Sequence, residues 1–208
     1  MTKEDRKRFQ EAMEVIRGIC HEESWSQCPE CPLWGQCPYT VDEDSRIPPA
    51  EWRIHSEENF PFEYIIRNDE VYIASCNKEL KSVVIPSEIN GYPVTTIGSC
   101  AFQSCTRLTS VTIPNSVTSI DKSAFYGCVK LVEIIIPDSV TSIGDLAFMA
   151  CHELKSLTIP KSVKHIGRRA LGYCNTFYKI EDFVLCGEKD SAVEMYSLNN
   201  EIMFEEIT

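Results

Sequence analysis

Residues 106–174 are three consecutive segments of 23 residues that superimpose without a gap: TRLTSVTIPNSVTSIDKSAFYGC, VKLVEIIIPDSVTSIGDLAFMAC and HELKSLTIPKSVKHIGRRALGYC. Leu108, Leu131 and Leu154 fall in register, as do Pro114, Pro137 and Pro160, and then Cys128, Cys151 and Cys174, with Cys105 one step earlier. A fixed period of this length is the mark of a solenoid, because each unit is too small to bury its apolar face alone and must stack on its neighbours. The fold class expected is α+β, mainly a β solenoid. It is a short stack of about four coils with hairpin and helix-containing end caps.

Each unit reads L-x-x-L/V/I-x-I-P-x-S-V-x-x-I-x-x-x-A-F/L-x-x-C. Leu131, Ile134 and Ile136 place apolar side chains inward along a first strand. The proline ends that strand because it has no amide hydrogen to donate to a ladder. Val140 and Ile143 begin a second extended piece, Gly144 allows a tight corner, and Ala147-Phe148 fill the interior before Cys151 closes the coil. The recurring cysteines are best read as small buried hydrophobes. Cys100 aligns with Ser123, Leu146 and Arg169, a variable position, and is expected to be an exposed, reactive thiol.

Residues 77–174 hold the repeats, including a divergent first unit in which Leu80 to Leu108 is a step of 28. The extra residues around Asn90-Gly91 and Tyr92 read as a protruding turn on one edge. Residues 58–76 form the expected N-terminal cap, a hairpin of Phe62–Ile66 and Val71–Ala74 around Asn68-Asp69. Residues 175–208 form the expected C-terminal cap: a strand containing a core Cys186, then a helix capped by Asp190 or Ser191 that packs with Val193, Tyr196 and Leu198, and a final strand from Ile202 to Ile207.

Residues 1–57 differ. Lys3 to Ile19 reads as a helix, with Phe9, Met13, Val15, Ile16 and Cys20 recurring near helical spacing. It runs into Cys20, Cys28, Cys31 and Cys37, spaced C-x7-C-x2-C-x5-C. Four thiolates within 18 residues suffice for one tetrahedral ion, and the C-x2-C pair is the usual knuckle of structural zinc sites. Zinc is therefore the cofactor expected there, with packed free thiols, disulfides or a cluster as alternatives. The spacing usual for iron–sulfur ligands is absent. The acidic, proline-bearing stretch from 38 to 61 reads as a linker, with the domain boundary near 58.

The units are similar to BspA-like (Treponema pallidum-type) leucine-rich repeats. The motifs that carry the resemblance are LTSVTIPNSVTSI, AFYGC, LVEIIIPDSVTSIGDLAF and LKSLTIPKSVKHIG, within residues 62–207. The resemblance implies a parallel-stranded solenoid devoted to protein–protein contact, and many members are bacterial cell-surface adhesins.

A net charge of -11 opposes sequence-independent binding to phosphate backbones, so no nucleic-acid partner is expected. No apolar run reaches the length of a membrane span. The start MTKEDRKRFQ lacks the apolar region of a secretory signal, so a cytoplasmic location is expected, or a cell-surface one if an upstream signal has been removed. No nucleophile elbow, phosphate loop or zinc-protease motif is present, so no enzyme activity is expected.

The leading functional reading is a protein-interaction module, with self-association among the possible partnerships. Its candidate surface is the outward side of the first strands: Ser82 and Val84, Ser110 and Thr112, Glu133 and Ile135, Ser156 and Thr158, together with Asn90 and Tyr92. Four such strands give a projected face of about 400 Å², half the roughly 800 Å² per partner of a standard interface. Lys155, Lys161, Lys164, His165, Arg168 and Arg169 make the last repeat locally basic. The alternatives are a metal-dependent or redox-sensing regulator acting through Cys20, Cys28, Cys31 and Cys37, and a surface adhesin.

Overall fold

The computed structural model describes residues 53–55 and 61–207. Residues 1–52, the expected helix, the cysteine cluster and most of the linker lie outside the described residues. The chain winds as a β solenoid with one short helix near its end.

Two ladders of strands run along the stack. The first carries β4 (Ser82–Val84), β7 (Ser110–Thr112), β9 (Glu133–Ile135), β11 (Ser156–Thr158), β13 (Val184–Gly187) and β14 (Met203–Glu206). All of its pairings are parallel: β4-β7-β9 form one three-stranded sheet and β11-β13-β14 another. The coils bearing β9 and β11 are joined by Glu153 N–H donating to Val129 O at 3.2 Å. The second ladder is the sheet β1 (Arg53–His55), β2 (Phe62–Arg67), β3 (Glu70–Cys76), β6 (Tyr92–Ile97), β8 (Ser119–Ile120), β10 (Ser142–Ile143) and β12 (His165–Ile166), with β5 (Glu88–Ile89) attached to β6.

The A-F-x-x-C turns make the third side. There Phe102 N–H donates to Ala124 O, Phe125 N–H to Ala147 O and Phe148 N–H to Ala170 O, at 2.7–2.8 Å. Each coil thus satisfies its backbone on the next, which a buried loop could not otherwise do. Inside, Phe102, Phe125 and Phe148 stack with centroids 5.0 and 5.1 Å apart and planes 12° and 13° apart. Leu171 takes the next position and is fully buried.

The stack is longer than the four coils the period predicts. Beyond Cys174, β13 and β14 add two more rungs to the first ladder, in register as Leu157↔Leu185↔Phe204. The predicted C-terminal cap is therefore part of the solenoid. Helix α1 (Ala192–Asn200) lies between those two rungs, capped by Ser191, whose side chain accepts from Glu194 N–H. It buries Val193, Tyr196 and Ser197. Leu198, expected to pack, is instead 67% exposed. Tyr196 fastens the helix: its hydroxyl accepts from Leu171 N–H at 3.1 Å and lies 3.2 Å from Leu171 O.

The N-terminal hairpin forms as predicted, with Asn68 and Asp69 both left-handed (φ 51 and 60) in the turn between β2 and β3. Its β3 then joins β6 in parallel. β1, inside the stretch read as linker, pairs antiparallel with β2 and extends the same sheet.

Glycine at position 144 serves close approach rather than a left-handed corner. A Cβ there would lie 2.5 Å from Lys122 N of the preceding coil, and one at Gly167 would lie 2.3 Å from Asp145 N. The neighbouring atoms are backbone and cannot swing aside, so overpacking strain follows. Gly144→Ala is expected to destabilise the solenoid by about 1–3 kcal/mol in urea titration, whereas Gly91→Ala, with nothing within 4 Å, is expected to show only the cost of its positive φ.

Candidate functional site

A solenoid's inward positions are set by packing, so the side chains free to carry function are those its strands turn outward. On the first ladder the alternation is unambiguous. Val83, Val111, Ile134 and Leu157 are buried, while their neighbours point to solvent. The pairing register then builds two outward rows. One is Ser82, Ser110, Glu133, Ser156, Val184 and Met203; the other is Val84, Thr112, Ile135, Thr158, Cys186 and Glu205. The candidate residues of the four repeats therefore share one face, as the period predicts. Val84 and Ile135 stand out, at 71% and 70% exposure, and Met203 is 61% exposed at the far end.

The last four positions of those rows were not anticipated. A signal for them existed: Leu185 follows Leu157 by 28 residues, the same step as Leu80 to Leu108. Cys186, expected in the core, is a correction. Register with Thr158 puts it on the outward row and half-buried, while Leu185 takes the inward place. Burial and the Glu205 carboxylate push its thiol up, against a hydrogen bond with Thr158.

Asn90 and Tyr92 do not join this face. The insertion folds back as the antiparallel pair β5–β6 rather than protruding, with Asn90 and Gly91 left-handed in its turn. Ile89 is buried, and Asn90 Nδ2 donates to the hydroxyl of the fully buried Tyr64 at 2.9 Å. This places the insertion as a clasp on the N-terminal hairpin.

The cysteine ladder behaves as core. Cys105, Cys128 and Cys151 are buried, unbridged thiols. The Cys128 and Cys151 thiols donate to Phe102 O and Phe125 O of the preceding coil, at 3.0 and 3.3 Å. Burial pushes both thiols up, Cys151 to about 12 and Cys128 further. Cys174 is only half-buried. Cys100, expected to be exposed, is half-buried too, and its position is defined by backbone: Cys100, Ser123, Leu146 and Arg169 all adopt a left-handed φ of 50–60. Among the described residues no group of three or more His, Cys, Asp or Glu side chains is placed to hold a metal ion. Cys20, Cys28, Cys31 and Cys37 lie outside the described residues. No helix among the described residues is long and apolar enough to cross a membrane.

The raised thiols give stability a pH dependence of defined sign. Below the unfolded thiol value of about 8.5 both states keep the proton. Above it the unfolded chain loses protons that the folded chain retains, so stability falls with pH, approaching about 1.4 kcal/mol per pH unit for each such thiol. The double variant Cys128→Ala/Cys151→Ala is expected to be less stable at pH 7 but to show a shallower decline between pH 9 and 11 in urea titrations. An unchanged slope would assign the decline to other groups.

Comparison with known proteins agrees with this geometry. The family model for the BspA type leucine rich repeat region matches residues 70–192 in six copies. Among solved structures, the chain is similar to a leucine-rich repeat protein from Bacteroides capillosus, with 28% identity over 65% of this chain and 98% of that one and a TM-score of 0.53. It is similar to the Treponema pallidum leucine-rich repeat protein at 26% identity, covering 64% of this chain and 71% of that one, TM-score 0.49. A leucine rich cell surface protein from Faecalibacterium prausnitzii shares 24% identity over 64% of this chain and 45% of that one, TM-score 0.46. No curated protein matches the chain.

Proposed function

Because the chain belongs to the BspA-type leucine-rich repeat family, we propose that it is a non-catalytic protein-interaction module whose contact surface is the outward face of the first strand ladder. The observation that carries this reading is the exposure of Val84 and Ile135, at 71% and 70%, on either side of Thr112 in one outward row. Neither side chain contributes to the core, and branched aliphatics on a flat, weakly charged face favour burial against a partner.

Six strands spaced by about 4.8 Å cover roughly 29 Å, and three residues per strand span roughly 10 Å, a projected area of about 300 Å². The face is longer and narrower than the sequence implies. It stays below the roughly 800 Å² per partner of a standard interface, so the partner also engages the flanking turns. The double variant Val84→Asp/Ile135→Asp is expected to keep the melting behaviour of the parent, since substitutions of exposed side chains usually change stability by less than about 0.5 kcal/mol. It is expected to lose proteins captured by the parent from the native cell. Capture that survives in the folded variant would move the contact surface elsewhere.

We further propose that Cys20, Cys28, Cys31 and Cys37 form a structural zinc module; what supports this is their spacing. Elemental analysis of the full chain is expected to give one zinc per protein, with these thiols protected from titration until chelator is added. No metal together with reversible oxidation of the same cysteines would favour the redox-sensing alternative. The adhesin-like alternative differs in location: proteolysis of intact cells would remove the protein from the surface in that case and spare it otherwise.

A further inference from the structure

On the side of the molecule bearing the second ladder, the last coils and helix α1 enclose a groove of about 1040 Å³. Its floor is the row Ser119, Ser142 and His165, which the pairing of β8, β10 and β12 holds in register. One wall is the turn of the last repeat, with Arg168 and Arg169; the other is the helix, with Met195, Tyr196 and Asn199. The volume is slightly above the usual range for ligand sites, and the groove is open to solvent, which suits an extended chain segment.

Its charge distinguishes it from the rest of a protein of net charge -11. Lys122, Lys164, His165, Arg168 and Arg169 line it, against two carboxylates, Asp121 and Asp145. Asp145 is consumed internally. It accepts from Arg168 N–H at 2.7 Å and from the Arg168 guanidinium at 3.0 and 3.2 Å. Asp121 is turned to the hydroxyl of Ser119, which donates to it at 2.8 Å. Lys164 donates its ammonium to a backbone carbonyl, that of Lys161, at 2.8 Å. Lys164 and Arg169 are exposed and have no carboxylate partner among the described residues. The opposite wall offers Met195, 59% exposed, as an apolar contact.

We propose that this groove is a second binding site, separate from the strand face, and that it takes an acidic peptide segment of a partner protein. Lys164 and Arg169 pair with its carboxylates, and Met195 covers an aliphatic side chain between them. Charge complementarity sets the ligand class: cations paired with backbone or with nothing attract carboxylates. The site does not depend on the strand-face reading, because no residue of that face lines it.

The test uses the full chain and a fluorescein-labelled Asp/Glu-rich peptide containing one leucine, read by anisotropy. Binding is expected to weaken at least tenfold in Arg169→Glu and in Lys164→Glu, to fall with added salt, and to persist in Lys130→Glu, whose exposed lysine lies outside the groove. Circular dichroism and melting of each variant separate lost binding from lost fold. Affinity that is absent in the parent, or unchanged in the two groove variants, overturns the proposal. Equal, groove-dependent affinity for a labelled oligonucleotide overturns the peptide assignment. Tighter peptide binding in Asp42→Asn/Glu43→Gln/Asp44→Asn would show that the chain's own acidic stretch competes for the groove, and would overturn its assignment to a partner.

Discussion

Everything in this molecule depends on adjacent coils lying one hydrogen bond apart. On the second ladder the later coil donates to the earlier: Thr118 N–H to Thr95 O, Thr141 N–H to Thr118 O and Lys164 N–H to Thr141 O, each at 2.8 Å. On the turn side the direction reverses, and the earlier coil donates to the later. A coil held from both sides in opposite senses can neither slide nor tilt without breaking bonds on one of them. The same spacing leaves no space for a Cβ at Gly144 or Gly167. It also brings Phe102, Phe125 and Phe148 to stacking distance. Backbone and core are thus two consequences of one repeat distance, and a substitution that lengthens it anywhere is felt in both.

A stack of this kind exposes unpaired groups at its ends, and the two ends are closed by different means. At the start, a twisted antiparallel hairpin continues the second ladder, and the Asn90 clasp fixes it through Tyr64. At the finish, α1 lies over the core with Tyr196 anchored to Leu171. Burial raises the Tyr196 hydroxyl to about 12, against the lowering effect of its hydrogen bond with Leu171, so it stays protonated and able to hold the helix. The helix leaves Met195 and Leu198 outside. It therefore closes the core and at the same time forms one wall of the basic groove.

The period was legible because equivalent residues of successive coils occupy the same environment, so Leu108, Leu131 and Leu154 had to be alike. The last two rungs were not, for the same reason inverted. Met203–Glu206 is the terminal rung and Val184–Gly187 lies between it and the last repeat; each strand turns one large apolar side chain inward, Leu185 or Phe204, and the L-x-x-L-x-I-P pattern disappears. Cys186 misled because a cysteine reads as apolar wherever it falls, and only the register with β11 shows which way it points. The Asn90-Gly91 turn was visible from its residue types, but its contact with Tyr64 spans 26 residues, and local pattern carries no information about that. The groove was half visible. Its cations appear in the sequence as a basic last repeat, yet nothing there says that a helix some thirty residues later will wall them in.

These outcomes separate what a repeat protein repeats from what it does. Inward residues recur because each coil poses the same packing problem, so they carry no information about a partner. Outward residues are released from that demand, and an apolar one among them is not explained by folding. On the strand face that criterion selects Val84, Ile135 and Met203; in the groove on the second-ladder side it selects Met195 beside Lys164 and Arg169. The two surfaces differ in kind, since one is flat and nearly uncharged and the other concave and cationic. A narrow face of about 300 Å² would hold a partner only weakly by itself. Two weak contacts to one partner, joined by a rigid solenoid, raise the effective concentration of the second once the first is made. Under the two proposals, rigidity would then be functional: the opposed hydrogen-bond ladders that fix the coils also fix the separation of the two surfaces, which would set the geometry a partner has to match to engage both.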